Sequence, residues 1–172
     1  MKTKSPNSTL VPLAIFAFAI LSASLPETAN AADQTTTHPC LPGGETSRER
    51  FVSIMQTIAE GWNTGNARLA ASCFAQDAFY SAPPSSGRRG RRALYEYFGG
   101  AHGRALPMHM RWHNLLFDPA QQIGAGEYTF RYRIQTHGLV IVNISKGLIR
   151  NWREYETSST LDWDQFVGDN RF

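Results

Sequence analysis

The sequence predicts an α+β domain in which three N-terminal helices pack on one face of a curved antiparallel sheet. Three observations predict it. Apolar residues recur at helical spacing in the first half of the chain, then give way from Met108 onward to runs rich in β-branched and aromatic residues. Helices followed by strands is the order of a segregated α+β structure rather than of alternating βα units. The third is size and composition: 172 residues, 42% hydrophobic and 18% charged, make one globular domain and exclude a disordered or collagen-like chain.

Residues 1–31 read as a leader. Lys2 and Lys4 are its positive start, residues 10–25 are apolar, and Pro26 breaks the run. Ala29-Asn30-Ala31 places small residues where a signal peptidase reads, so cleavage is expected after Ala31 and a secreted or periplasmic location follows. The apolar run is short of the roughly 20 residues that span a bilayer, so no stable membrane anchor is expected. Losing Lys2, Lys4 and Glu27 takes the formal charge from +3 to +2. Residues 32–45, rich in Thr, Pro and Gly, form a flexible lead-in to a domain over residues 46–172.

The first helix is expected over residues 47–62, where Phe51, Ile54, Met55, Ile58 and Trp62 share a face. Thr46 or Ser47 caps its start and Gly65 stops it. Asn66 then caps a short second helix through Phe74, and a third covers residues 91–98 after a Pro-rich loop. Strands are expected over residues 108–117, 126–134, 139–145 and 148–157, with turns at Asp118-Pro119, residues 135–138 and Lys146-Gly147, and a C-terminal tail from about residue 158. Two cysteines are too few for a disulfide scaffold or a four-ligand zinc site. In an oxidising compartment Cys40 and Cys73 either bond to each other, tying the lead-in to the second helix, or Cys73 is a small buried hydrophobe and Cys40 is free.

Three stretches together resemble the nuclear transport factor two-like superfamily, in its SnoaL-like and limonene epoxide hydrolase-like branch. They are Trp62-Asn63-Thr64-Gly65-Asn66 with Phe74-Ala75-Gln76-Asp77-Ala78-Phe79-Tyr80, then Gly90-Arg91-Arg92-Ala93-Leu94-Tyr95-Glu96-Tyr97-Phe98, then Lys146-Gly147-Leu148-Ile149-Arg150-Asn151-Trp152-Arg153-Glu154-Tyr155. The resemblance implies a cone-shaped sheet wrapped over the helices, with an apolar pocket for a small hydrophobic molecule. It also implies cofactor-free acid–base chemistry of the isomerase, lyase or polyketide cyclase-like kind. Other members of the group only bind a ligand or only pair into dimers, so fold alone does not settle function.

In the epoxide hydrolases of this group a Tyr and an Asn hold the attacking water, and an Arg between two Asp residues activates it. Tyr80 matches the Tyr, but Ala82 stands where the Asn belongs. Glu127 and Thr129 stand at the positions of the Arg and one Asp, leaving Glu154 as the surviving carboxylate. Epoxide hydrolysis by that mechanism is disfavoured.

What remains is a polar set for proton transfer. Alternation along a strand places Glu127, Thr129, Arg131 and Arg133 on one face, and Arg150, Trp152 and Glu154 on one face of the last strand. By the resemblance both faces look into the pocket. Glu154 is then either a general base or the partner of Arg131 or Arg133 in a structural ion pair. Tyr80 either donates to a substrate oxygen or walls the pocket, and Trp152 is a packing platform or a ligand contact. His113 is the candidate acid–base partner of Glu154, and His137 a candidate at the mouth.

Competing chemistries are weaker. His109 and His113 are four apart, but on a strand that spans roughly 13 Å, so they cannot share a metal ion. The Arg88-Arg89-Gly90-Arg91-Arg92 cluster reads as a solvated loop and first helical turn, not a nucleic-acid site, on an exported chain of low net charge. The expectation is therefore an exported domain that catalyses with Glu154, Tyr80 and His113 and contacts ligand through Glu127, Thr129, Arg131, Trp152 and His137. The alternative is a non-catalytic ligand-binding or dimerisation module. No cofactor is implied.

Overall fold

The computed structural model describes residues 38, 40–85 and 87–170, so the leader and the cleavage expected after Ala31 lie outside the described residues. Helix α1 (Arg48–Asn63) starts where the Ser47 hydroxyl accepts a hydrogen bond from the Arg50 amide at 3.2 Å. It ends beside Gly65, which adopts φ 70°. Its periodic face is buried: Phe51, Ile54, Met55 and Ile58 are inaccessible, and Trp62 nearly so. Each such side chain contributes about 1.5–3 kcal/mol by leaving water.

Helix α2 (Ala67–Ser72) is capped by Asn66, whose side chain accepts from the Leu69 amide at 3.0 Å. Its backbone crosses α1 at Gly61, where a Cβ would stand 2.5 Å from the Ala70 nitrogen. That contact explains a glycine inside a helix, where it otherwise costs about 1 kcal/mol. The second helix is shorter than expected, because Phe74 already begins strand β1 (Phe74–Ser81). The bulge between Phe74 and Phe79 breaks the alternation by which a strand is recognised. Strand β2 (Arg88–Arg89) pairs with β1 where a solvated loop is expected, and helix α3 (Arg91–Tyr97) follows.

Four strands complete the sheet: β3 (His109–Asp118), β4 (Ile123–Arg131), β5 (Gln135–Ser145) and β6 (Leu148–Ser158). A short helix α4 (Trp163–Val167), closed by an Asp162–Gln165 capping box, ends the described chain. The sheet order is β2-β1-β6-β5-β4-β3. All neighbours are antiparallel except β1 and β6, which run parallel. The expected α+β architecture is observed, with this one parallel pair inside it.

Two local expectations are corrected. The turn between β4 and β5 lies at residues 132–134, and residues 135–138 belong to β5, paired with residues 128–131. On β6, Asn151 pairs with Asn143 but Ile149 with Ile144, so Arg150 is bulged out of register. Arg150 instead meets Asp77 at 3.0 Å on the surface, and does not share the face of Trp152 and Glu154.

Helix α1 is fixed to the sheet by polar contacts at its middle and its C-terminal end. Asn63 accepts from the Met110 amide at 2.5 Å and donates to the Met110 carbonyl at 3.0 Å, and Trp112 donates to the Met55 carbonyl at 2.8 Å. Cys40 and Cys73 are joined in a disulfide with Cα atoms 4.5 Å apart, pinning the end of the lead-in to the end of α2. No helix among the described residues is long and apolar enough to cross a membrane.

Candidate active site

Trp152 and Glu154 point inward from β6, with Tyr80 from β1 and Tyr128 from β4 converging on them. Glu154 is 8% exposed. Tyr80 donates its phenolic proton to Glu154 Oε1 at 2.5 Å, and the Trp152 indole N–H donates to Oε2 at 2.8 Å. Tyr128 reaches the same Oε2 at 3.4 Å, a long contact. Three neutral donors from three strands thus surround one carboxylate. Among the described residues no Lys or Arg nitrogen lies within 4.0 Å of it, and the ion pairs Arg92–Glu96 and Arg150–Asp77 are on the surface.

Tyr128 reaches Glu154 from two strands away because β5 offers no side chain between them. Gly138 pairs with Tyr128, and a Cβ there would stand 2.5 Å from Tyr128 Cζ and 2.6 Å from its hydroxyl. The Tyr80 ring stacks on Trp152 with centroids 5.6 Å apart and planes 10° apart, which fixes the direction of its hydroxyl. Burial raises the Glu154 pKa from 4.5 to about 7, the donors Tyr80, Trp152 and Tyr128 pull it back, and Glu156 adds to the rise. Burial, and then the neighbouring Glu154 charge, push both Tyr80 and Tyr128 far above the ordinary phenol value. Both phenols are therefore donors at any physiological pH.

Glu154 lies on the wall of a cavity of about 100 Å³, bounded by Trp62, Phe98, Met108, Phe130 and Tyr132 and opening past Tyr97, Arg104 and Glu156. Aromatic side chains make it narrower than the few hundred cubic ångströms usual for a ligand pocket. An engineered cavity of roughly 150 Å³ holds a benzene ring, so this space takes a fragment of about four or five heavy atoms.

Several expected site residues stand elsewhere. Glu127, Thr129 and Arg131 lie on the opposite face of β4, because Tyr128, Phe130 and Tyr132 take the inward positions. Glu127 accepts from Asn114 at 2.5 Å, and Arg131 donates to Gln135 at 2.7 Å. The expected Glu154 ion pair with Arg131 or Arg133 is absent for the same reason: Arg133 lies over the Tyr132 ring, 5.7 Å from its centroid. His113 and His137 are also outside the cavity, bridged by the Thr129 hydroxyl at 2.7 and 2.9 Å. The tail covers this pair, Trp163 stacking on His113 at 4.1 Å and Phe166 packing on His137 at 4.4 Å. Burial first, then Arg111 and His137, lower the His113 pKa. His137, near the start of β5, is buried under Phe166 and is not at a mouth.

Tyr128 and Arg104 are among the cavity residues that escape the sequence reading. Tyr128 is signalled by the aromatic parity Tyr128, Phe130, Tyr132, which is a stronger inward marker than the polar residues between them. Tyr97 stands at the end of α3, on the side the sequence places inward, while Arg104 lies in the segment between α3 and β3, where no sequence signal marks it. No group of three or more His, Cys, Asp or Glu among the described residues could hold a metal ion.

By sequence the chain matches no family model and no curated protein. By structure it is similar to a protein of unknown function with a cystatin-like fold from Methylobium petroleophilum, with TM-score 0.59 and 18% identity over 70% of this chain and 84% of that one. It is similar to an LEH-like epoxide hydrolase of M. tuberculosis, at TM-score 0.53 and 16% identity over 60% and 80% of the two chains. A third likeness is a Catenulispora acidiphila protein with a ketosteroid isomerase-like fold, crystallised with trimethylamine, at TM-score 0.51 and 13% identity over 59% and 83%. These likenesses show the fold, which is nuclear transport factor two-like.

Proposed function

We propose that this chain is an exported acid–base enzyme in which Glu154 removes a proton from a carbon beside a carbonyl group. The observation that carries this reading is a buried carboxylate on a cavity wall, held by three neutral donors and, among the described residues, by no cation. An arginine clasp would hold the group ionised and inert. Burial instead raises its pKa to about 7, where a base both exists and accepts protons effectively.

The C–H electron pair moves into an enolate as the proton passes to a Glu154 oxygen. Tyr128, whose 3.4 Å contact is the longest of the three, turns its O–H to the developing enolate oxygen. Tyr80 stays on Oε1 and holds the carboxyl in place. Return of the proton to another carbon completes an isomerisation; its delivery to a departing hydroxyl completes a dehydration. His113 has no part in this scheme, since it lies on the other side of the sheet. The disulfide supports export, as such bonds persist in oxidising compartments.

The narrow cavity favours a second reading, a module that binds a small molecule without turning it over. Proton exchange separates the two. Ketones with acidic α-hydrogens in heavy water should lose their α-proton NMR signals faster with the protein, and Glu154→Gln should reduce the acceleration by about a hundredfold or more. Exchange that survives in the variant removes Glu154 as base; no exchange with any ketone leaves the binding reading.

A further inference from the structure

One cation at the cavity has no hydrogen-bond or ion-pair partner among the described residues. The Arg104 side chain is laid between two aromatic rings, its guanidinium carbon 5.1 Å from the centroids of both Tyr97 and Tyr132. Its Nε is buried and meets no hydrogen-bond acceptor among the described residues. Buried donors are nearly always satisfied, and one that is not needs an explanation. The nearby carboxylates do not provide it. Glu154 is taken by Tyr80, Trp152 and Tyr128, and Glu156 by Thr136 at 3.1 Å, with neither within 4.0 Å of Arg104. Arg88, its guanidinium carbon 4.1 Å from the Tyr97 centroid, adds a second positive charge beside that ring.

We infer that Arg104 recognises a carboxylate on the ligand, and that the substrate class is short carboxylic acids carrying a carbonyl group. A guanidinium flanked by two aromatic rings presents a preorganised fork that matches a carboxylate and loses little entropy on binding it. The two guanidiniums offset the charge that such an acid would otherwise bring against Glu154 and Glu156. The size of the cavity fits the assignment: its depth takes the carbon end against Glu154 while the carboxylate stays at the opening with Arg104. This inference rests on the Glu154 cavity being the ligand site, and extends that reading from a reaction type to a kind of substrate.

Acetoacetate and its methyl ester test it, since they share the ketone and the acidic methylene and differ in the charge. Saturation-transfer NMR titration of the wild-type protein should show the acid binding at least about tenfold more tightly than the ester. Arg104→Gln should erase that preference, bringing the acid's affinity down to the ester's in the same variant. Arg104→Lys keeps the charge without the fork and should lower the preference by about threefold or more. Thermal melts establish that each variant is folded, and the Lys variant alone decides if the Gln variant is not. Equal affinity for acid and ester, no binding of the acid, or a preference that survives unchanged in the variants would overturn the inference. Glu154→Gln should keep the preference. If the preference holds while wild-type α-proton exchange is absent, the base role of Glu154 fails and the carboxylate site stands.

Discussion

Replacing Glu154 by Gln removes one titrating group while keeping the shape of the side chain, so it isolates what the buried carboxyl does to stability. In the fold, burial raises its pKa from 4.5 to about 7 against the pull of three hydrogen-bond donors. Unfolding returns the group to water and to its ordinary value. Below pH 4.5 the carboxyl is protonated in both states and costs nothing. Between 4.5 and about 7 the unfolded chain releases the proton and the folded chain keeps it, so stability falls as the pH rises. Above that window the loss is complete, and the gap between the two values corresponds to roughly 3 kcal/mol. Urea unfolding of both proteins at about pH 4 and about pH 8 measures it, because every other group titrates alike in the two. The variant should gain about 3 kcal/mol on the wild type across that range. A difference between the two proteins that stays constant from the acid to the alkaline end would falsify the raised carboxyl, and with it a base poised near neutrality.

Tyr80→Phe removes the shortest donor to the carboxylate, a charge-assisted bond worth about 1.5–3 kcal/mol, so Glu154 should become about tenfold to a hundredfold weaker as an acid. The midpoint of the pH-dependent stability difference against E154Q should move to higher pH; an unmoved midpoint contradicts the bond. Gly138→Ala pushes a methyl group into the Tyr128 ring and should cost about 1–3 kcal/mol in urea unfolding. It should also free Glu154 of its Tyr128 contact, visible as a smaller upward move of the same midpoint. Cys40→Ser with Cys73→Ala opens a loop of 33 residues and should cost about 3–4 kcal/mol, a loss that a reductant reproduces in the wild type and not in the variant. His113→Ala, on the far side of the sheet, should leave the Glu154 pH window where it is; a displaced window would place the imidazole in contact with the cavity after all.

The helices were legible because their apolar spacing and caps agree: Ser47, Asn66 and Gly65 each stand at the end they are expected to mark. Strand β1 was not, because its bulge spoils the alternation from Phe74 to Phe79. The polar site was half legible. Glu154, Tyr80 and Trp152 were found from a resemblance to a motif, and the structure brings all three together. Glu127, Thr129 and Arg131 are expected in the cavity if the polar face of β4 is the inner one, His113 as an acid–base partner for Glu154, and His137 from a turn expected at residues 135–138. The hydrophobic effect decides otherwise, since three aromatic rings gain more from burial than three polar groups lose by facing water. The tail then covers part of that outer face with Trp163 and Phe166, so a histidine can be buried without lying near the cavity. Arg104 had no signal, as it lies in the segment between α3 and β3, where it is placed beside the rings of Tyr97 and Tyr132.

The arrangement around Glu154 is hard to account for as a means of stability. A buried carboxyl with neutral neighbours weakens the fold as it ionises, and well-packed apolar residues in its place often do better. Yet the donors come from three separate strands: Tyr80 on β1, Tyr128 on β4 and Trp152 on β6. A glycine at 138 clears the path of one of them, and ring stacking aims another. Convergent devices that cost stability at neutral pH are expected where a protein needs a group held ready, and structural strain of this kind collects at working sites. The same reasoning joins Arg104 to Glu154. Among the described residues one is an anion with donors but no cation, the other a cation with a buried donor and no anion, and both face one small cavity. A ligand with an acidic carbon at one end and a carboxylate at the other answers both at once.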